Sequence, residues 1–191
     1  MKKNFFENIY NHPRIKKEDY KTIIDVHTKV GFLKNETILK EGKISNEYYL
    51  IKKGFFRSYV IDYKGNEITT DFFGPNEILI EVASLFLRTP SKENIQAVSD
   101  CEVYKIEFND FQNLYNTING FTEWGRSWMS QQLFKAKHRA VTMYTQSASE
   151  RYLELMTQKP QIIKEVPLKH IATYLGITDT SLSRIRKEMT L

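Results

Sequence analysis

Val166-Pro167-Leu168-Lys169-His170-Ile171-Ala172-Thr173-Tyr174-Leu175-Gly176-Ile177-Thr178-Asp179-Thr180-Ser181-Leu182-Ser183-Arg184-Ile185-Arg186-Lys187-Glu188 reads as two short helices crossing at a tight turn. Ile171 and Leu175 face inward on the first helix, Ile177 fills the turn, and Leu182 and Ile185 face inward on the second. Ala172 falls where the second helix crosses, which requires a small side chain, and Gly176 supplies the positive φ that ends the first helix. Thr178 or Asp179 can cap the second helix through a side-chain oxygen. This packing leaves Thr180, Ser181, Ser183, Arg184 and Lys187 outside.

Those outward residues are short hydrogen-bonding groups and cations, the types that reach base edges and phosphates in a major groove. Thr178, Thr180, Ser181, Ser183, Arg184, Arg186 and Lys187 are therefore the candidate contacts to double-stranded DNA. The charge distribution points the same way. Residues 1–130 carry 18 basic against 18 acidic side chains and residues 131–191 carry 10 against 5, so the whole net charge of +5 sits in the last third. A basic segment on a neutral body suits a polyanion, although charge alone also describes a solvated surface.

Upstream of this tail, a short helix from about Ala148 to Gln158 is broken at Lys159-Pro160, with Tyr152, Leu153, Leu155 and Met156 expected inward. Before it, from about Asn119, Met129, Leu133, Ala136, Ala140 and Met143 form a seam along one face of a long helix, extended towards its start by Phe121, Trp124 and Trp128. The seam packs either on its own domain or on a second copy, and the second arrangement gives a two-fold homodimer.

From about Phe32 to Phe108 the period changes to that of strands. Thr37–Leu39, Tyr48–Ile51, Phe55–Ile61, Ile68–Phe73 and Cys101–Ile106 are β-branched and aromatic runs punctuated by Gly42, Gly54, Gly65 and Gly74. Lys64-Gly65-Asn66 and Gly74-Pro75-Asn76 read as turns. The pattern suits an antiparallel jelly roll, with Lys17–Val30 expected as a helix on its outside. The chain is thus an α+β protein divided into a barrel domain over 1–118, a long helix over 119–146 that is the candidate for dimerisation, and a helix-turn-helix over 147–191.

Several classes drop out on composition. The longest mainly apolar run, Ile78–Leu87, is interrupted by Glu81 and is far short of a membrane span, and the first residues lack the apolar stretch of a signal peptide, so a cytoplasmic protein with no membrane partner is expected. A single cysteine, Cys101, rules out an internal disulfide and any cysteine-built cluster within one chain, and it reads as a buried apolar residue. No histidine stands between His27 and His138, which removes the ligand set of a barrel metalloenzyme. No phosphate loop or nucleophile elbow is present, so neither enzyme activity nor a cofactor or metal is expected. The competing reading is a ligand-binding or protein-interaction module whose helix-turn-helix no longer binds DNA, against which Arg184, Arg186 and Lys187 stand.

The order of glycine-punctuated barrel, long helix and terminal helix-turn-helix resembles the Crp/Fnr family, the regulators similar to the cyclic AMP receptor protein. The resemblance implies a cyclic-nucleotide-binding-like barrel, a homodimer held by the long helix and control of transcription. It also implies a β-hairpin after the second helix, which is absent or lies beyond this sequence. Family recognition helices carry a Glu before their Arg; here the Arg falls on Arg184 and the Glu position on Thr180, so no target sequence is implied. The effector pocket implied by the resemblance falls on Glu81, Ser91 and Lys92. Cyclic AMP binders place Gly-Glu-Leu against the ribose and Arg-Ser/Thr-Ala against the phosphate, where this chain has Ile80-Glu81-Val82 and Ser91-Lys92-Glu93. A serine cannot neutralise a phosphate and Lys92 offers only a point charge, so a small-molecule effector other than cyclic AMP, or none, is expected. Iron–sulfur sensing, known in one branch of the family, lacks its cysteines, and for haem only His138, Met129 and Met143 stand on the long helix, where packing or surface explains them.

Overall fold

A computed structural model describes residues 2–189 of the chain. Among these residues the strands are β1 (Thr28–Phe32), β2 (Thr37–Leu39), β3 (Glu47–Lys53), β4 (Phe56–Ile61), β5 (Glu67–Phe73), β6 (Ile78–Leu79), β7 (Asn94–Ala97) and β8 (Cys101–Glu107). Helices α1 (Lys2–Ile9) and α2 (Asp19–Asp25) precede them and α3 (Val82–Leu87) lies between β6 and β7. After the barrel come α4 (Phe108–Thr117), α5 (Phe121–Thr145), α6 (Ala148–Gln158), α7 (Pro160–Glu165), α8 (Leu168–Tyr174) and α9 (Asp179–Met189). No described helix is long and apolar enough to cross a membrane.

The strands pair antiparallel in two four-stranded sheets, ordered β1-β8-β3-β6 and β2-β7-β4-β5, the expected jelly roll. Tyr49, Ile51, Phe56, Leu79, Ile95, Ala97 and Val103 fill the space between the sheets. The first sheet is also covered on its outer face, where Tyr48, Leu50, Ile78, Tyr104 and Ile106 meet α1, α2, α4 and the start of α5. That two-sided burial explains why Tyr48-Tyr49-Leu50-Ile51 is a continuous apolar run and not an alternating one. Gly54 turns β3 into β4 with φ +90°, and a Cβ there would stand 2.4 Å from the Cys101 Sγ, so only glycine fits.

Two expectations need correction. Lys17–Val30 is not one helix: α2 ends at Asp25 and Thr28–Val30 belongs to β1, because Val30 pairs with Val103 of β8 and its β-branched neighbourhood suits a strand edge. Leu153 and Met156 are 54% and 37% exposed, since α6 buries only the face carrying Tyr152 and Leu155. The Gly74-Pro75-Asn76 turn forms as expected, with Asn76 in the left-handed position at φ 67°.

A buried polar chain pins the amino-terminal helices to the barrel. His27 Nδ1 lies 2.6 Å from the Ile23 carbonyl, which only accepts, so Nδ1 carries the proton and Nε2 accepts from the Tyr10 hydroxyl at 2.9 Å. Tyr10 then accepts from Tyr48 at 2.6 Å. Burial holds the His27 imidazole at about 4, outweighing the favourable carbonyl bond, with the Lys2 charge adding a little. The unfolded chain takes up this proton near pH 6.5, so the stability tied to neutral His27 is complete above about pH 6.5 and drains away as the pH falls towards 4. In urea titrations the loss of unfolding free energy between about pH 7 and pH 4.5 should be about 2 kcal/mol smaller for His27→Phe than for the parent.

Candidate nucleic-acid interface and effector pocket

The tail folds as its sequence dictates. At the end of α8 the Ile177 N–H donates to the Ala172 carbonyl at 3.0 Å and the Gly176 N–H to that of Thr173 at 3.1 Å, with Gly176 at φ +71°, a Schellman turn. Thr178 caps α9: its Oγ1 accepts from the Ser181 N–H at 3.2 Å and lies 3.0 Å from the Ser181 hydroxyl. Ser181 is thereby half-buried and occupied by the cap, while Thr178 stays exposed. Ile171, Ala172, Leu175, Leu182 and Ile185 are buried together with Tyr152, Leu155, Ile162 and Val166 of the preceding helices.

Opposite Leu182 and Ile185, α9 presents Thr180, Ser183, Arg184 and Lys187 at helical spacing, all exposed. Among the described residues Arg184 pairs with Glu188, at 3.8 Å one turn on, a weak surface contact. Arg186 lies exposed on the flank of this stripe. Arg139 and Arg151 secure the turn from behind: their guanidiniums donate to the carbonyls of Tyr174 (3.0 Å) and Leu175 (2.8 Å), where the end of α8 concentrates negative dipole charge.

Helix α5 has two halves. Phe121 and Trp124 are buried against α1 and α4, and the Trp124 indole donates to the Ile9 carbonyl at 2.9 Å. Beyond Trp128 the helix leaves the barrel. Met129, Leu133, Ala136, Ala140 and Met143, the expected seam, are exposed, and Phe134, Val141 and Tyr144 widen the uncovered apolar face. Leu133 and Phe134 are 67% and 70% exposed, so the first alternative, a seam packed on its own domain, does not hold within one chain.

The pocket residues are placed as structural elements. Glu81 caps α3, accepting from the Ser84 N–H at 2.6 Å. Ser91 is buried, its hydroxyl donating to the Glu93 carbonyl at 2.7 Å and its N–H to that of Lys43 at 2.8 Å. Lys92 is exposed. Arg88 donates to the Ser45 carbonyl at 2.8 Å and stacks on Phe108, and Lys40 and Lys43 line the adjoining cavity. Two residues beyond Ser91, Glu93 is half-buried. Burial raises its pKa, a hydrogen bond with Thr70 opposes this, and the Glu81 and Asp71 charges push it further up. A cavity of about 370 Å³ opens beside these residues, lined among others by Leu39, Lys43, Glu47, Tyr49 and Glu81.

One group of residues escaped the sequence reading: Arg57, Gln96, Thr69 and Lys159, which join the tail to the barrel. The signal was Arg57 itself, a lone charge inside the aromatic run Phe55–Ile61.

Residues 29–117 match the family model of the cyclic nucleotide-binding domain. No curated protein sequence matches the chain. Among solved structures it is similar to a transcriptional regulator assigned to the Crp/Fnr family from Eubacterium rectale, at 16% identity and TM-score 0.73 over 98% of this chain and 88% of that one. It is also similar to FixK2 from Bradyrhizobium japonicum (18%, 0.71, 86% and 85%) and to CLP, the c-di-GMP-responsive global regulator of Xanthomonas campestris (14%, 0.70, 92% and 92%). The barrel is therefore similar to cyclic nucleotide-binding domains over 29–117. The chain around it has the fold of the Crp/Fnr regulators.

With Ser91 where the resemblance expects the phosphate-clamping arginine, cyclic AMP and cyclic GMP should bind weakly or not at all in calorimetry. One nucleotide per chain at a low micromolar dissociation constant would show that another cation completes the site.

Proposed function

We propose that the chain is a sequence-specific DNA-binding regulator of transcription, a cytoplasmic homodimer that is not an enzyme and whose effector, if it has one, is a small molecule other than cyclic AMP. The observation that carries this reading is the exposed stripe Thr180, Ser183, Arg184 and Lys187, set opposite the buried Leu182 and Ile185 on a capped helix that follows a Schellman turn. A helix so exposed can enter the major groove, with Arg184 forking onto a base edge and Lys187 and Arg186 serving phosphates. Thr178, at the start of α9, and the hydroxyls of Thr180 and Ser183 lie within the same approach; Ser181 contributes through the cap.

The uncovered face of α5 supports the dimer. Exposed Leu133, Phe134, Val141 and Tyr144 cost hydrophobic free energy in water that a second copy of the same helix removes, and Ala136 and Ala140 let two helices approach closely. Two-fold symmetry then sets two recognition helices about 34 Å apart, so the operator is an inverted repeat with half-sites about 10 base pairs between centres.

Two outcomes test this function. Arg184→Ala should lose about 1–3 kcal/mol on the specific site and relax discrimination at one base pair per half-site, whereas Lys187→Ala should weaken all sequences alike and flatten the salt dependence. Titrations on specific and scrambled DNA at two salt concentrations separate them; an unchanged ratio for Arg184→Ala would assign specificity to Thr180 or Ser183, and no binding to any DNA would favour the interaction-module reading. Leu133→Glu should bury like charges across the two-fold axis, cost several kcal/mol and give monomers in sedimentation.

A further inference from the structure

Strand β5 is the outer strand of its sheet, and α8 lies along it. The Thr69 N–H, which would otherwise point from the sheet edge, donates to Thr173 Oγ1 at 3.2 Å, and the two threonine hydroxyls lie 3.1 Å apart. Phe72 meets the Tyr174 ring at 5.1 Å, and Lys159 donates to the Phe72 carbonyl and pairs with Glu77 at 3.0 Å. The helix-turn-helix is thus seated on the sensor barrel by a mixed apolar and polar interface.

At its centre Arg57 is only 1% exposed, so its guanidinium needs a partner for each buried N–H. The barrel supplies Gln96 Oε1, at 3.1 Å from Nε and 2.8 Å from Nη2, the Glu67 carboxylate, and the Tyr59 ring stacked at 4.1 Å. Nη1 has its partner in the tail: His170 Nδ1, 2.8 Å away on α8. A guanidinium only donates, so Nδ1 must be the unprotonated nitrogen. Protonation there removes the acceptor and sets a second cation against Arg57.

We propose that the Arg57–His170 contact is a proton-sensitive latch: with His170 neutral it holds the helix-turn-helix on the β4–β5 face of the barrel, and protonation of His170 releases it. The charged groups facing His170 are Arg57 from β4, Glu67 from β5 and Lys169 beside it on α8. Glu67 is the one anion of the three, and it is already paired with Arg57. Burial first, and then the Arg57 and Lys169 charges, hold His170 at about 4 while docked, with Glu67 opposing weakly. In the undocked tail the imidazole regains an ordinary value near 6.5. Docking is therefore favoured above about pH 6.5 and weakens as the pH falls, by about tenfold in the equilibrium constant between pH 7.5 and 5.5, a window above the ordinary carboxylate range.

The Thr69 amide reports docking directly, because its acceptor belongs to the tail. In native-state hydrogen exchange of the full chain, corrected for intrinsic rates, its protection should fall about tenfold from pH 7.5 to 5.5. His170→Gln keeps an acceptor that does not titrate, and its Thr69 protection should not respond to pH. His170→Lys carries a permanent charge and should lose that protection at both pH values; should it not fold, the glutamine variant decides alone. Constant Thr69 protection in the parent, or an equal fall in His170→Gln, overturns the latch. The latch controls DNA binding only if the function proposed above holds, and since exchange is read without DNA, the two ideas fail separately.

Discussion

The projecting half of α5 hangs from its first two turns. Phe121 and Trp124 are clamped among Tyr10, Phe111 and Tyr115, and the Trp124 indole is bound to the Ile9 carbonyl. Large aromatic rings in edge-on contact fix a helix axis more firmly than aliphatic packing, because both area and ring orientation count. The Arg14–Glu123 pair reinforces the joint from the surface. Once that axis is set, the remainder of α5 projects from the barrel with an apolar face that one chain cannot cover. The same helix then returns to the tail through Arg139, which stacks on Tyr174 at 3.9 Å and binds its carbonyl. One helix thereby packs on the barrel, carries the uncovered face and meets the helix-turn-helix.

The barrel keeps the shape of a nucleotide-binding domain, but no arginine stands among the residues lining its cavity, and a cyclic phosphate needs a buried cation with two parallel donors. Here Ser91 turns its hydroxyl to the backbone and Glu81 caps a helix with its carboxylate, while Lys40, Lys43, Glu47 and Glu81 line the cavity with charges of both signs.

The seat of the tail answers a separate problem. An outer strand exposes unpaired N–H and C=O groups that recruit foreign strands. Helix α8 and the Lys159 ammonium cover part of the β5 edge, so a regulatory docking surface doubles as protection for the sheet. Its polar centre, Arg57 with Gln96, Glu67 and His170, makes the seat specific, since a buried guanidinium tolerates only a partner placed to accept.

The sequence by itself determined those features that local rules control. Gly176, Thr178 and the apolar spacing of Ile171, Leu175, Leu182 and Ile185 specify the turn, the cap and the crossing, since each acts within a few residues of chain. The jelly roll was legible in its turn residues and strand runs, and the solvent-facing stripe of α9 followed from helical period. The short strands β6 and β7 and helices α1, α3 and α4 were not read, because pieces of this length are fixed by what packs over them and not by propensity. Leu153 and Met156 failed for a related reason: an apolar side chain is buried only if a neighbour arrives to cover it. The tertiary structure alone decided that Arg57 and His170, 113 residues apart, share one hydrogen bond, and that Glu81 caps a helix. Contacts between distant segments depend on how whole elements pack, and no periodicity along the chain encodes which side chains that packing brings within reach of each other.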